Sequence, residues 1–140
     1  MKNRVARILS LGIALVAAGA VYAQSGPTKA NVPFDFYVGP TLMHQGEYLI
    51  TENPGGSVTW VRCPEENATK AVITSGILSP MREVPAHLTF HRYGEDYFLT
   101  EIWAGQTNMG KLLMRSAREK ELARGGTLRT LAVIQIALHR

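Results

Sequence analysis

The feature that most constrains the fold is a pair of strand-like segments joined by two turn residues. Residues 87–93 and 96–104 are rich in aromatic and β-branched side chains, which favour extended strands. Gly94 and Glu95 between them suit a two-residue turn whose first position has a positive φ. The sequence therefore predicts an antiparallel β-hairpin here, with a register that stays open by one residue.

Alternation of apolar and polar residues predicts further short strands. Residues 31–38 place four apolar side chains on one side, and Pro33 favours a sheet edge because it cannot donate a backbone hydrogen bond. The four are Val32, Phe34, Phe36 and Val38, and the other predicted strands cover residues 47–52, 58–63 and 71–75.

The last segment, residues 128–138, is a nearly continuous apolar run. It is too short to cross a membrane as a helix, since such a span needs about 20 residues. Its composition predicts a central strand that is buried on both faces.

One short helix is predicted in the C-terminal half of the chain. Ser116 and Glu119 have the spacing of a capping box, in which each side chain accepts a hydrogen bond from the other residue's backbone amide. Gly125 and Gly126 supply the stop. With about seven short strands and this helix, the sequence predicts an all-β fold, either an antiparallel β-sandwich or a small barrel.

The N-terminal residues have the composition of a secretory signal peptide. Three basic residues precede an apolar run of about 13 residues, and Ala23 ends a Val-Tyr-Ala cleavage triplet. The alternative is a retained transmembrane anchor, which would need about 20 apolar residues. We therefore expect export to the periplasm or the cell exterior. The predicted organisation is a signal peptide over residues 1–23, a flexible leader over 24–30 and a single β-rich domain over 31–140.

The distribution of charge argues against one class of partner. The chain has fifteen Lys and Arg against eleven Asp and Glu, but three of the basic residues lie in the first seven positions. The remainder is nearly neutral with interspersed charges, so it lacks the basic surface that nucleic-acid binding requires. We expect no nucleic-acid partner and no transmembrane segment after cleavage. An envelope component or another protein is the kind of partner that we expect.

Cys63 is the single cysteine of the sequence. In an oxidising compartment it could form a bridge to another chain or serve as a reactive thiol. The alternative role is that of a small buried apolar residue, and this is the role that we expect.

Two histidines have a spacing that suggests a metal site at first. His87 and His91 lie four residues apart. In a helix this spacing lets both side chains bind one ion, but in a strand it separates the side chains by about 13 Å. We therefore expect both histidines to face solvent beside Thr89, without a metal. Leu88 and Phe90 should form the opposite, apolar face.

Glu101 differs from the other carboxylates because it lies inside a predicted strand, on the face of Tyr97, Leu99 and Trp103. An acid there is either exposed at an edge or held by a partner. The other carboxylates, Glu119 among them, fall in predicted turns or beside basic helix residues, where solvation explains them. Recognised nucleophile and phosphate-binding motifs do not occur in the sequence.

Several segments are distinctive in combination: VPFDFYVG, QGEY, FHRYG, YFLTEIW and REKELA. With them the chain resembles a group of short exported bacterial proteins that have no assigned function. This resemblance covers most of the region after residue 23 and brings no catalytic residues with it. Separately, residues 46–50 are similar to the start of a strand in transthyretin-like sandwich modules, which implies a sandwich and no particular ligand.

These observations favour a non-catalytic binding or envelope-associated module. We predict no catalytic, cofactor-binding or metal-ligating residue, and we expect no cofactor. The alternative is a small pocket enzyme, a hydrolase or isomerase, that would use Glu101 with a histidine.

Overall fold

The computed structural model describes residues 27–52, 56–105, 107–125 and 131–139. Within these residues the chain forms ten β-strands and one α-helix. The predicted signal peptide, the start of the leader and residues 128–130 lie outside the described residues. The elements are β1 (Thr28–Val32), β2 (Phe36–Val38), β3 (Thr41–Met43), β4 (Gly46–Glu52), β5 (Val58–Cys63), β6 (Ala68–Leu78), β7 (His87–Tyr93), β8 (Asp96–Trp103), β9 (Met109–Leu113), α1 (Ala117–Arg124) and β10 (Leu131–Ala137).

The strands form two layers that share β6. Its first part, Ala68–Ile73, pairs with β5, and its second part, Thr74–Leu78, pairs with β9 on the other edge. One layer runs β1-β4-β5-β6, and the other continues from β6 through β9 and β8, which also pairs with β2 and β7. All pairs are antiparallel except β2 with β8. The predicted all-β, sandwich-like fold is confirmed.

The sheet is not closed into a barrel. Beyond the end of β10 the chain meets β1 at a single bridge, where Lys29 and His139 exchange two backbone hydrogen bonds of 2.6 and 2.8 Å. A full ladder between two strands would carry bonds along its whole length. The contact between β1 and the segment after β10 is therefore one residue pair and not a ladder.

Aromatic side chains fill the space between the layers. The Phe36 ring meets the rings of Tyr48 and Phe90 edge to face, with centroids 5.0 and 5.2 Å apart. These three residues come from β2, β4 and β7 and are fully buried, so they connect both layers through one cluster. Edge-to-face packing is the arrangement that aromatic rings prefer. The predicted shared face of Val32, Phe36 and Val38 is confirmed by their burial, although Phe34 is only partly buried.

Residues 31–38 do not form one strand, in contrast to the prediction. β1 begins at Thr28, inside the predicted leader, and ends at Val32, whereas β2 begins only at Phe36. Pro33 lies at the break, where it cannot donate to a ladder. The two pieces therefore join different layers, β1 beside β4 and β2 between β3 and β8.

The predicted hairpin is confirmed, and it contains an irregularity that alternation does not predict. Gly94 turns the chain with a φ of 66°. Thr89 pairs with Glu101 but Phe90 pairs with Leu99, so β8 has one extra residue, Thr100, at this point. Such a bulge moves the following side chains to the opposite face of the strand.

The prediction of a central last strand is wrong. β10 forms a ladder with β7 alone, and Val133 is 59% exposed while Ile134 and Ile136 are partly buried. The strand therefore alternates as a half-buried strand does, because only one of its faces meets the core.

The helix begins where the capping pattern predicts. Ser116 is the N-cap residue of α1, and its hydroxyl accepts a 3.2 Å hydrogen bond from the Glu119 amide. Gly125 ends the helix. In the part of the chain that the structure describes, no helix combines the length and apolar character that crossing a bilayer needs.

Candidate functional site

Helix α1 contacts the outer face of the β7–β8 hairpin through a buried carboxylate. Glu119 is only 3% exposed, and its Oε1 atom lies 3.4 Å from the Tyr93 hydroxyl and 3.5 Å from His91 Nδ1. The Arg115 Nε atom lies 3.9 Å from the same oxygen. Three potential donors thus converge on one carboxylate oxygen, which offsets part of the cost of burying its charge.

The sequence-based interpretation of this region was wrong for two residues. Glu119 was expected in solvent and is buried, and His91 was expected to face solvent and is mostly covered. Instead of turning back toward Ser116, the Glu119 carboxylate accepts from Tyr93. A signal was available, since Tyr93 and Phe98 on the outer face of the hairpin are too apolar for a face exposed to water.

Burial changes the acidity of Tyr93. Desolvation, and then the Glu119 carboxylate beside it, raise the pKa of the Tyr93 hydroxyl, while Arg115 acts in the opposite direction. The hydroxyl therefore stays protonated and remains a donor to Glu119. The 3.5 Å contact between His91 Nδ1 and Glu119 lacks the geometry of a hydrogen bond, and the buried Thr89 Oγ1 atom has no hydrogen-bond partner among the described residues.

Glu101 has a structural partner. Its Oε2 atom accepts a 2.9 Å hydrogen bond from Trp103 Nε1, and the Trp103 ring in turn stacks on His87 at 6.1 Å. Because of the bulge at Thr100, Glu101 shares its face with Trp103 but not with Leu99, which lies in the core. Within residues 27–52, 56–105, 107–125 and 131–139, the buried histidine–carboxylate pair is therefore His91 with Glu119, and not a histidine with Glu101.

The other two histidines and the cysteine have different surroundings in the structure. His44 lies 3.6 Å from Asp35 in an exposed pair, and His139 takes part in the backbone bridge to β1. Cys63 is buried in the core, as expected. Within the described residues no group of three or more His, Cys, Asp or Glu side chains is placed to hold a metal ion.

A groove of about 290 Å³ lies where the two layers separate beside β6. The ladder between β9 and β6 ends at the Thr74–Leu113 pair, which leaves a gap beside the first part of β6. The β2–β3 turn lies on the other side of this gap. Nine residues line the groove: Gly39, Pro40, Lys70, Ala71, Val72, Ile73, Leu113, Met114 and Ser116. Most of this lining is apolar.

Among the described residues the groove has one charged lining residue, Lys70, and no acidic one. Lys70 lies on the same inward-facing side of β6 as Val72. Ile73 and Met114, which are 69% and 72% exposed, form an apolar rim. Concave, largely apolar surfaces with a few polar groups are the usual form of ligand sites. Sequence reasoning missed this groove because its walls come from three segments that are distant in the sequence.

In comparisons with known proteins, no family model, no curated protein and no solved structure matches the chain.

Proposed function

We propose that this protein is an exported, non-catalytic binding module whose ligand occupies the groove beside β6. The observation that carries the proposal is the combination of an apolar lining with the single cation Lys70. The volume of about 290 Å³ lies at the lower end of the range for ligand pockets. A ligand with an apolar body and an anionic group would complement both properties.

The exposed rim supports the same proposal. Ile73 and Met114 leave large apolar surfaces in water although they stand next to a concavity. Exposed apolar surface beside a concavity often marks an interaction site. A bound ligand would cover both side chains and remove that surface from water.

The catalytic alternative lacks comparable support from geometry. Glu101 is bound to Trp103, and the His91–Glu119 pair lies beneath α1 with neither residue in the lining of the groove. Each acid therefore has a structural partner that accounts for its position.

An apolar fluorescent sulfonate, 1-anilinonaphthalene-8-sulfonate, tests the site. We expect the folded domain to enhance its fluorescence, and the double substitution Ile73→Ser with Met114→Ser to weaken binding about tenfold, the equivalent of about 1.4 kcal/mol of lost contact. Lys70→Gln should weaken binding as well, because the sulfonate would lose its cation.

The chain offers a matched control at the far end of the same two strands. Leu78 and Met109 are 71% and 60% exposed and are cross-strand neighbours, but neither lines the groove. The double substitution Leu78→Ser with Met109→Ser should leave dye binding unchanged. Equal losses in the two double variants, with the fold intact by circular dichroism, would refute the groove as the binding site.

A further inference from the structure

The groove runs along an edge of β6 that has no partner strand among the described residues. Ala68–Ile73 use one edge for β5, and β9 occupies the opposite edge only from Thr74 onward. Lys70, Ala71, Val72 and Ile73 line the groove at this unpaired edge. An unpaired strand edge offers backbone donors and acceptors in a row.

The direction of the free backbone groups follows from one hydrogen bond. The Thr74 amide donates to the Ser57 carbonyl at 2.9 Å, so the backbone groups of Thr74 point to the β5 side. Because backbone groups of successive strand residues point to opposite edges, those of Val72 also point to β5 and those of Ala71 and Thr69 point to the free edge. No backbone hydrogen bond to Ala71 or Thr69 from this side occurs within the described residues.

The side chains beside this edge alternate in character. Lys70 and Val72 lie on the inner face, opposite the buried residues Val61 and Thr59 of β5. A strand placed beside β6 would therefore direct two of its side chains, two positions apart, toward one cation and one apolar residue. Charge complementarity favours an acid at the first of these positions, since no carboxylate lines the groove in the described part of the chain.

We propose that the ligand of the groove is an extended peptide segment of a partner protein, which adds to β6 as a short strand. Its backbone pairs with Ala71 and Thr69, an apolar side chain contacts Val72, and a carboxylate two positions away pairs with Lys70. This inference rests on the proposed function and specifies the partner class of the same site. In strand addition the backbone bonds supply affinity and the alternating side chains supply specificity.

The unpaired backbone favours a peptide over a small amphiphile. A fatty carboxylate could contact Val72 and Lys70, but it has no amide groups at the spacing of a strand and would leave the Ala71 groups to water. A peptide satisfies the side chains and the backbone together, so it matches more of the groove.

The probe is the pentapeptide acetyl-Thr-Val-Thr-Glu-Thr-amide, with hydrogen exchange of the full exported chain read by NMR. We expect saturating peptide to slow exchange of the Ala71 amide at least about tenfold. The Val72 amide, which already faces β5, should not change and serves as an internal reference. The peptide should also displace 1-anilinonaphthalene-8-sulfonate from the groove.

Two variant peptides test the two parts of the recognition. Replacing the central Thr of the probe by Pro removes a backbone donor and should abolish the protection of Ala71. Replacing Glu by Lys should weaken binding about tenfold or more, because two cations would then meet at Lys70. Equal binding by the Pro peptide would overturn the inference, since it would show that no ladder forms.

A substitution in the protein provides an independent test. Ala71→Pro removes the amide that faces the groove while leaving the β5 ladder, because the Ala71 amide does not face β5. We expect this variant to lose peptide binding and retain dye binding. If it fails to fold, the Pro peptide answers the same question with the unmodified protein.

The outcomes separate the inference from the proposed function. If the dye responds to Ile73→Ser with Met114→Ser but the peptide neither displaces it nor protects Ala71, the groove binds a ligand and the peptide inference is wrong. Displacement by decanoate alone would assign the site to a small amphiphile and overturn the inference. If the Ala71 amide is protected in the absence of peptide and this protection is lost on dilution, the occupant is a second copy of this chain. That result would also overturn the inference. If dye binding does not change in the groove variant Ile73→Ser with Met114→Ser, the proposed function is wrong.

Discussion

Tyr48 couples side-chain chemistry to packing at the scale of one residue. Its ring is fully buried between the layers, and its hydroxyl donates to the backbone carbonyl of His44. Burial, and to a smaller extent the neighbouring Cys63, raise the pKa of Tyr48 well above its ordinary value of 10.0. The folded protein therefore disfavours the ionised form of this side chain.

The raised pKa predicts a loss of stability in alkaline solution. Above about pH 10 an unfolded Tyr48 loses its proton while the folded one keeps it, so the free energy of unfolding should fall as pH rises. Below pH 10 both states are protonated, and the contribution is fully present. Urea unfolding across this range measures the slope.

The variant Tyr48→Phe isolates this contribution. It should cost about 1 kcal/mol at neutral pH, because the His44 carbonyl loses its donor. It should also reduce the decline above pH 10, leaving a part that Tyr93 supplies for the same reason. An alkaline slope identical in Tyr48→Phe and the parent protein would contradict the assignment.

Phe98 is a second residue whose packing has a measurable consequence. Its ring lies on the outer face of the hairpin, buried against Tyr37 and Tyr93 at centroid distances of 5.0 and 5.8 Å. Phe98→Ala should lower the free energy of unfolding by about 3–5 kcal/mol, since it leaves a cavity beside the two tyrosine rings. Ile73→Ala, at an exposed position, should change it by less than about 0.5 kcal/mol. Similar urea midpoints for both variants would show that Phe98 does not pack as described.

At the scale of elements, the sequence predicts strands with regular alternation and turns with clear signals. β4, β5, the β7–β8 hairpin and α1 all lie where their patterns indicate. β9 was not predicted, because Gly110 weakens its strand signal. Tertiary packing explains why a glycine is needed at this position, since a Cβ at Gly110 would lie 2.6 Å from the Trp103 ring.

The errors share a physical cause, because each depends on neighbours that local patterns do not report. The bulge at Thr100 shifts the face of β8, and the exposure of β10 depends on having β7 as its single ladder partner. The burial of Glu119 requires α1 to fold back onto β7. The groove is likewise a product of where β9 stops relative to β6.

The N-cap of α1 gives an element-scale prediction. Ser116→Ala removes the hydroxyl that accepts from the Glu119 amide, and it should destabilise the protein by about 0.5–2 kcal/mol. Urea unfolding of Ser116→Ala and of the parent protein, followed by tryptophan fluorescence, measures this loss. Ser57→Ala, at an exposed position, is the control. No change in the urea midpoint of Ser116→Ala would show that the cap does not hold α1.

At the scale of the whole molecule, export is a prediction of its own. We expect the secreted protein to begin at Gln24, because the Val-Tyr-Ala triplet ends at Ala23. Intact-mass measurement of the protein from the periplasm or medium gives the cleavage site directly. Recovery of all 140 residues from the membrane fraction would contradict this prediction.

The sharing of β6 between layers determines how the domain comes apart. Val72 is bonded in the ladder with β5 and Ser75 in the ladder with β9, yet both belong to one continuous strand. Unfolding of one layer would also remove β6 from the other layer. We therefore expect a single cooperative unfolding transition without a partly unfolded intermediate. The amides of Val72 and Ser75, three residues apart and in different layers, should then exchange with the same opening free energy.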